Sequence, residues 1–156
     1  MIILGIDPGF AATGFGAILS DKNKISMIDC GCIKTSPKKY FVERLEEIYH
    51  EIKKIIQKYQ PDKIAVETIY FAKNVKTAIK VGEARGVILL ACHEVRAPII
   101  EFTPLQVKQA LTSYGQAKKT QIQKMVQILL KLKEMPKPDD AADGLAIAIA
   151  CSFLRK

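Results

Sequence analysis

The chain has 156 residues, 49% of them apolar and 26% charged, enough for one domain with a sizeable core. That balance excludes a disordered tail, a collagen-like repeat and a disulfide miniprotein, and no apolar run reaches the roughly 18–20 residues that span a bilayer. The net charge of +8 is unevenly spread: residues 103–137 carry seven lysines and one glutamate, whereas residues 40–60 balance four acids with four bases. A basic stretch of this kind suits a polyanion partner or, more plainly, a solvated lysine face.

The N-terminus, Met1 to Gly5, has no basic segment ahead of its apolar residues and reads as a strand, not a signal peptide. Residues 2–6 form an apolar run ending in Asp7-Pro8-Gly9. Residues 14–19 and 25–33 are short strands separated by the polar turn at residues 20–24, which makes a β-meander. Phe41, Leu45, Ile48, Ile52, Ile55 and Tyr59 recur at helical spacing, and Pro61 stops that helix. Lys63 to Glu67 is a strand that also ends in an acid. A helix runs from Asn74 to about Val95, and Pro98 to Phe102 is another strand. Thr103-Pro104 reads as an N-cap and first position of a short helix through Leu111. Ser113 to Gln116 is a loop, Lys119 to Leu132 is amphipathic, and Asp140 to Phe153 is an apolar-rich helix after Pro136-Lys137-Pro138. The order βββαβαβαα, with no linker and no repeat, predicts one α/β domain over residues 1–156.

Cys30, Cys32, Cys92 and Cys151 lack C-x-x-C spacing, and two histidines in the whole chain argue against a zinc site. Reduced thiols in a cytosolic protein are the simpler reading. Asp7 is the first chemical anomaly, since a carboxylate at the end of an apolar, central strand needs a cation or strong donors. Glu67 repeats the pattern. If their strands are parallel neighbours, both acids lie where open α/β sheets place ligands; otherwise each merely caps a loop. Asp140 and Asp143, three apart, share a helix face in the first turn, where the macrodipole favours negative charge. Asp139 and Asp140 could be an N-cap and its neighbour, but Asp143 lies on the stripe of Ile147 and should face the sheet. Four carboxylates with no histidine or cysteine beside them describe a hard-cation site suited to Mg²⁺ or Mn²⁺. Two such ions clamp the attacking and leaving oxygens of a phosphoryl displacement. There is no Walker loop, no dinucleotide fingerprint and no readable Ser–His–Asp set.

Gly5-Ile6-Asp7-Pro8-Gly9, Thr13-Gly14, Glu67, Ala72-Lys73-Asn74, Gly82-Glu83-Ala84-Arg85-Gly86, Gln106-Val107-Lys108-Gln109 and Asp140-Ala141-Ala142-Asp143 occur in order along nearly the whole chain. This ordered set resembles the RuvC family of bacterial crossover junction endodeoxyribonucleases, the Holliday junction resolvases. The resemblance implies an RNase H-like fold, a five-stranded mixed sheet flanked by helices on both faces. It also implies a homodimer that nicks two symmetry-related strands of four-way junction DNA, leaving 5′-phosphate and 3′-hydroxyl ends. By the same resemblance, Asp7, Glu67, Asp140 and Asp143 are the catalytic and metal-binding acids, with Mg²⁺ (Mn²⁺ able to substitute), two ions per subunit. Lys119 is catalytic and DNA-binding, and Lys108, Lys118 and Lys73 are DNA contacts. The stacking aromatic corresponds to Tyr70, a position often held by Phe in the family; Phe71 follows at once, so either ring could stack on a base.

Gly82 and Gly86 sit four apart in a helix, where each glycine costs about 1 kcal/mol against alanine. Close approach of a second helix explains them, as does packing on their own sheet; the family places its dimer contact there. The resemblance further implies a cytoplasmic enzyme working with the RuvA–RuvB branch-migration complex. A non-catalytic nucleic-acid-binding protein with the same fold is the alternative, opposed by the intact set of acids. An actin-like kinase would need two such domains, more than this length supplies, and a second RNase H-like resolvase family fits the later motifs less well.

Overall fold

The computed structural model describes residues 1–22, 24–69 and 75–154, with side chains from residue 78 in the last stretch. Tyr70, Phe71 and Lys73 lie outside the described residues. The elements run β1 (Ile2–Asp7), β2 (Ala12–Asp21), β3 (Lys24–Lys34), α1 (Phe41–Tyr59), β4 (Lys63–Glu67), α2 (Val75–His93), β5 (Ile99–Phe102), α3 (Pro104–Thr112), α4 (Lys119–Leu129) and α5 (Asp139–Ser152). The strands form one mixed sheet in the order β3-β2-β1-β4-β5. β3, β2 and β1 are the antiparallel meander, and β1 runs parallel to β4 as β4 does to β5. The observed order is βββαβαβααα; the short helix expected through Leu111 is present as α3 and is the one element that the shorter order, βββαβαβαα, leaves out.

Local chemistry sets most of the boundaries. Thr103 and Gln106 cap α3 reciprocally: the Thr103 hydroxyl accepts from the Gln106 amide at 3.2 Å, and the Gln106 side chain accepts from the Thr103 amide at 2.8 Å. α1 ends where Gln60 turns left-handed (φ 46°) ahead of Pro61. α4 stops at Leu129, short of the expected Leu132. Lys131 takes the left-handed position (φ 54°) usually held by glycine, and Leu132 N–H bonds back to the Gln127 carbonyl at 2.9 Å. Nothing in a lysine announces that stop. At α5 the cap is Pro138, without a side-chain bond, so Asp139 and Asp140 are the first two helical residues and neither is the N-cap.

Strand alternation sorts the sheet into two faces. Leu4, Ile6, Ile64 and Val66 join the core beneath α1 and α2. Ile3, Ile18 and Ala65 join the opposite core with the buried residues of α3, α4 and α5. Asp7 continues the Ile3–Gly5 face and Glu67 continues the Ala65 face, so both acids fall on the side that α5 covers. α5 is buried from Ala141 through Cys151, which fits a helix lying between the sheet and two other helices.

The approach of α5 to the sheet is closer than side chains permit. A Cβ at Gly16 would lie 2.5 Å from the Leu145 nitrogen, and one at Gly5 2.2 Å from the Gly144 oxygen. From the other side, a Cβ at Gly144 would meet the backbone of Phe15 at 2.5 Å. These obstacles are main chain and cannot rotate away. Gly144→Ala should therefore destabilise the protein by about 1–3 kcal/mol or more, read as a lowered urea midpoint. Unchanged stability would mean that α5 has room to retreat from the sheet.

Candidate active site

The site lies at the carboxyl ends of β1 and β4. These strands pair in parallel through Ile6 and Val66, so their terminal acids, Asp7 and Glu67, stand side by side. Across β1 from Glu67, Asp7 pairs with Gly14 of β2, and a Cβ there would strike the Asp140 carbonyl at 1.9 Å. That contact seats the first turn of α5 directly over the strand end. Asp140 and Asp143 thus join Asp7 and Glu67, bringing the two ends of the chain together.

Burial and mutual repulsion govern the charges here. Burial pushes Asp7 up to about 6, helped by the charges of Asp143 and Asp140 and opposed by Lys119 and a hydrogen bond with Glu67. Burial, then the charges of Asp7 and Asp143, push Glu67 up to about 8; Lys108 opposes the rise. The two carboxyls are hydrogen-bonded to each other and titrate as a pair, both pushed upward. The Lys119 ammonium, on the first residue of α4, meets the Asp143 carboxylate at 2.8 Å. Burial would lower Lys119, but its hydrogen bond to Asp143 and the neighbouring acids hold it above its ordinary value.

A cluster of oxygen donors whose carboxyls are pushed up by burial and by one another is chemically matched to a hard divalent cation. The donor chemistry of Asp7, Glu67, Asp140 and Asp143 suits such an ion, although among the described residues no three acidic, histidine or cysteine side chains are arranged to hold one as they stand.

Of the expected DNA contacts, Lys119 is at the carboxylates, and Lys108 on α3 is near enough to act on Glu67 electrostatically. Lys118 is exposed at the N-cap of α4, its amide bonded to the Gln121 side chain at 2.7 Å. Gly82 and Gly86 lie apart from the acids, on α2.

Two neighbours of the site were not read from sequence. The Cys32 thiol, on β3, donates to Asp140 Oδ2 at 3.6 Å. Burial and the Asp140 charge push it up to about 11, so it is a donor and not a thiolate ligand. Arg85 Nε reaches the Glu67 carbonyl at 3.3 Å. Arg85 stands between the two glycines of the Gly82–Gly86 motif on α2.

The raised carboxyls make stability depend on pH in a definite direction. Glu67 holds its proton in the folded protein to about 8 but loses it near 4.5 when unfolded, and Asp7 behaves likewise from 3.8 to about 6. The folded state therefore binds more protons across this window, and stability falls as pH rises through it. In EDTA, the melting temperature should drop between pH 5 and pH 8, and Glu67→Gln should flatten that drop. An equal slope in both proteins would show that Glu67 does not carry the proton.

The chain matches the family model described as "Crossover junction endodeoxyribonuclease RuvC" over residues 3–151. A relative of that name from Halothermothrix orenii is 56% identical over 149 residues, covering 96% of this chain and 90% of the relative. The Thermus thermophilus RuvC structure superposes with a TM-score of 0.91 at 36% identity, covering 98% of this chain and 94% of that one. The structure of T. thermophilus RuvC in complex with Holliday junction substrate gives 0.89 at 34% identity, with the same coverage.

Proposed function

Since the chain belongs to the RuvC family of crossover junction endodeoxyribonucleases, we propose that it resolves Holliday junctions in recombination and repair by hydrolysing one phosphodiester in each of two symmetry-related strands. The observation that carries this reading is the convergence of Asp7, Glu67, Asp140 and Asp143 on one strand-end cluster faced by Lys119. Mg²⁺, or Mn²⁺ in its place, held by these four acids as two ions per subunit, would activate water and neutralise charge on the phosphoryl group.

The chain's own residues divide the remaining work. Lys119, half-exposed at 52%, stands at the mouth of the cluster. Its fixed charge stabilises the charge that builds on the phosphoryl oxygens, an effect larger in the transition state than in the ground state. Lys108 and Lys118 hold flanking phosphates and set the register of the DNA. Tyr70, Phe71 and Lys73 are assigned as DNA contacts on sequence grounds alone. The products carry 5′-phosphate and 3′-hydroxyl ends.

Two nicks at symmetric positions call for two sites, and α2 offers a face for a second copy. Ile79 and Leu90 are 59% and 57% exposed. Between them a Cβ at Gly86 would meet nothing within 4 Å, and one at Gly82 would meet only Ile69 Cδ1 at 3.9 Å. Among the described residues, packing within the subunit gives no reason for Gly86 and little for Gly82. Close approach of a partner's helix does, and we read this face as the homodimer contact. The working setting is the cytoplasm, beside the RuvA–RuvB branch-migration complex; among the described residues, no helix is long and apolar enough to cross a membrane.

The decisive assay is cleavage of a synthetic four-way junction in Mg²⁺ and in EDTA. Asp7→Asn should abolish cutting while junction affinity holds or tightens, because one negative charge leaves the DNA-facing cluster. Near-wild-type cutting by Asp7→Asn would remove Asp7 from the ligands. Gly86→Leu should sediment as a monomer and lose paired nicking; a dimer that still makes both nicks would place the subunit contact elsewhere.

A further inference from the structure

Glu67 is the last residue of β4, and the chain leaves the sheet directly after it. The final sheet-like bond there is Thr68 N–H to the Phe102 carbonyl at 2.7 Å. Beyond that point the strand end needs other support, and α2 supplies it twice. Ile69 packs toward Gly82, and the Arg85 guanidinium bridges two strands. Its Nε donates to the Glu67 carbonyl at 3.3 Å, while its Nη2 pairs with the Glu101 carboxylate of β5. The Arg85 side chain is only 20% exposed.

A planar guanidinium can make both bonds at once because its donors diverge in a fixed fork; an ammonium is a single point with no such reach. The fork fixes the Glu67 main chain relative to β5 and to α2. Cation sites tolerate little looseness: a ligand misplaced by about half an ångström loses productive geometry. Partners that orient a metal ligand without touching the ion typically matter about 10–100-fold in affinity or activity.

We propose that Arg85 is a positioning residue for Glu67, clamping the end of β4 between β5 and α2 so that the Glu67 carboxylate is held ready for the divalent cation. This rests on the reading of Glu67 as a cation ligand. It also makes the helix assigned to the dimer contact part of the support of the site in its own subunit.

The test compares Arg85→Gln, Arg85→Lys and Glu101→Gln with the wild type and with Asp7→Asn. Mn²⁺ binding to the DNA-free protein is measured by electron paramagnetic resonance. Junction affinity is measured in EDTA, and cleavage of pre-bound junction is followed over a Mg²⁺ series. In Arg85→Gln, the Mn²⁺ Kd and the half-saturating Mg²⁺ should both rise about tenfold. Cleavage at saturating Mg²⁺ should stay within a few-fold of wild type, and junction affinity should not change. Glu101→Gln, which weakens only the outer anchor, should shift the same two quantities less. Arg85→Lys should rescue them only in part. A folded Arg85→Gln protein whose Mn²⁺ Kd stays within twofold of wild type overturns the proposal. So does a loss of junction affinity at unchanged Mn²⁺ binding, which would make Arg85 a phosphate contact. Should Arg85→Gln fail to fold, wild-type Mn²⁺ affinity in Glu101→Gln overturns it equally. A wild type that binds no Mn²⁺, or an Asp7→Asn protein that binds it fully, defeats the ligand reading itself and is recognised separately.

Discussion

Main chain lies on main chain where α5 crosses β1 and β2, and the rest of the molecule is arranged around that contact. Gly5, Gly14 and Gly16 on the strands and Gly144 on the helix leave no side chain between the two backbones. Side chains between packed layers ordinarily hold them well apart, about 10 Å for two sheets stacked face to face. Removing the side chains lets the first turn of α5 descend onto the strand ends. Asp140 and Asp143 reach Asp7 and Glu67 for that reason. α3 and α4 then cover the outer side of α5, which is why that helix is buried from Gly144 through Cys151.

The chemistry of the site follows from that closeness. Four acids share a partly buried space, where burial and mutual repulsion push the Asp7 and Glu67 carboxyls up and the ammonium of Lys119 offsets part of the charge. The same repulsion that weakens the metal-free fold supplies the driving force for taking up a cation, so stability and activity draw on the site in opposite senses.

Much of this was legible in the residues themselves. The apolar runs ending in Asp7 and Glu67 marked strand ends, and helical spacing located α1 to its last turn at Tyr59. The i, i+3 pair of acids on α5 marked one helix face. What alternation could not supply was the partner of that face. The glycines around Asp7 were legible as a cluster, but their purpose depends on Gly144, some 130 residues away in sequence. The early end of α4 was hidden because Lys131 holds a conformation that lysine does not advertise. Arg85 was hidden for another reason: its role is a bond to a main-chain carbonyl, and carbonyls have no signature in sequence.

The separation between Asp7 and Asp143 has a consequence for how the protein comes into being. A chain emerging from the ribosome exposes the β1–β2–β3 meander first, and those strands can pair through local contacts. By then three of the four acids, Glu67, Asp140 and Asp143, have not yet been synthesised. Even after the sheet is complete, the site stays unbuilt until α5 docks across the glycines. A chain that stops before α5 therefore lacks Asp140 and Asp143, and the proposed site is complete only when that helix is in place.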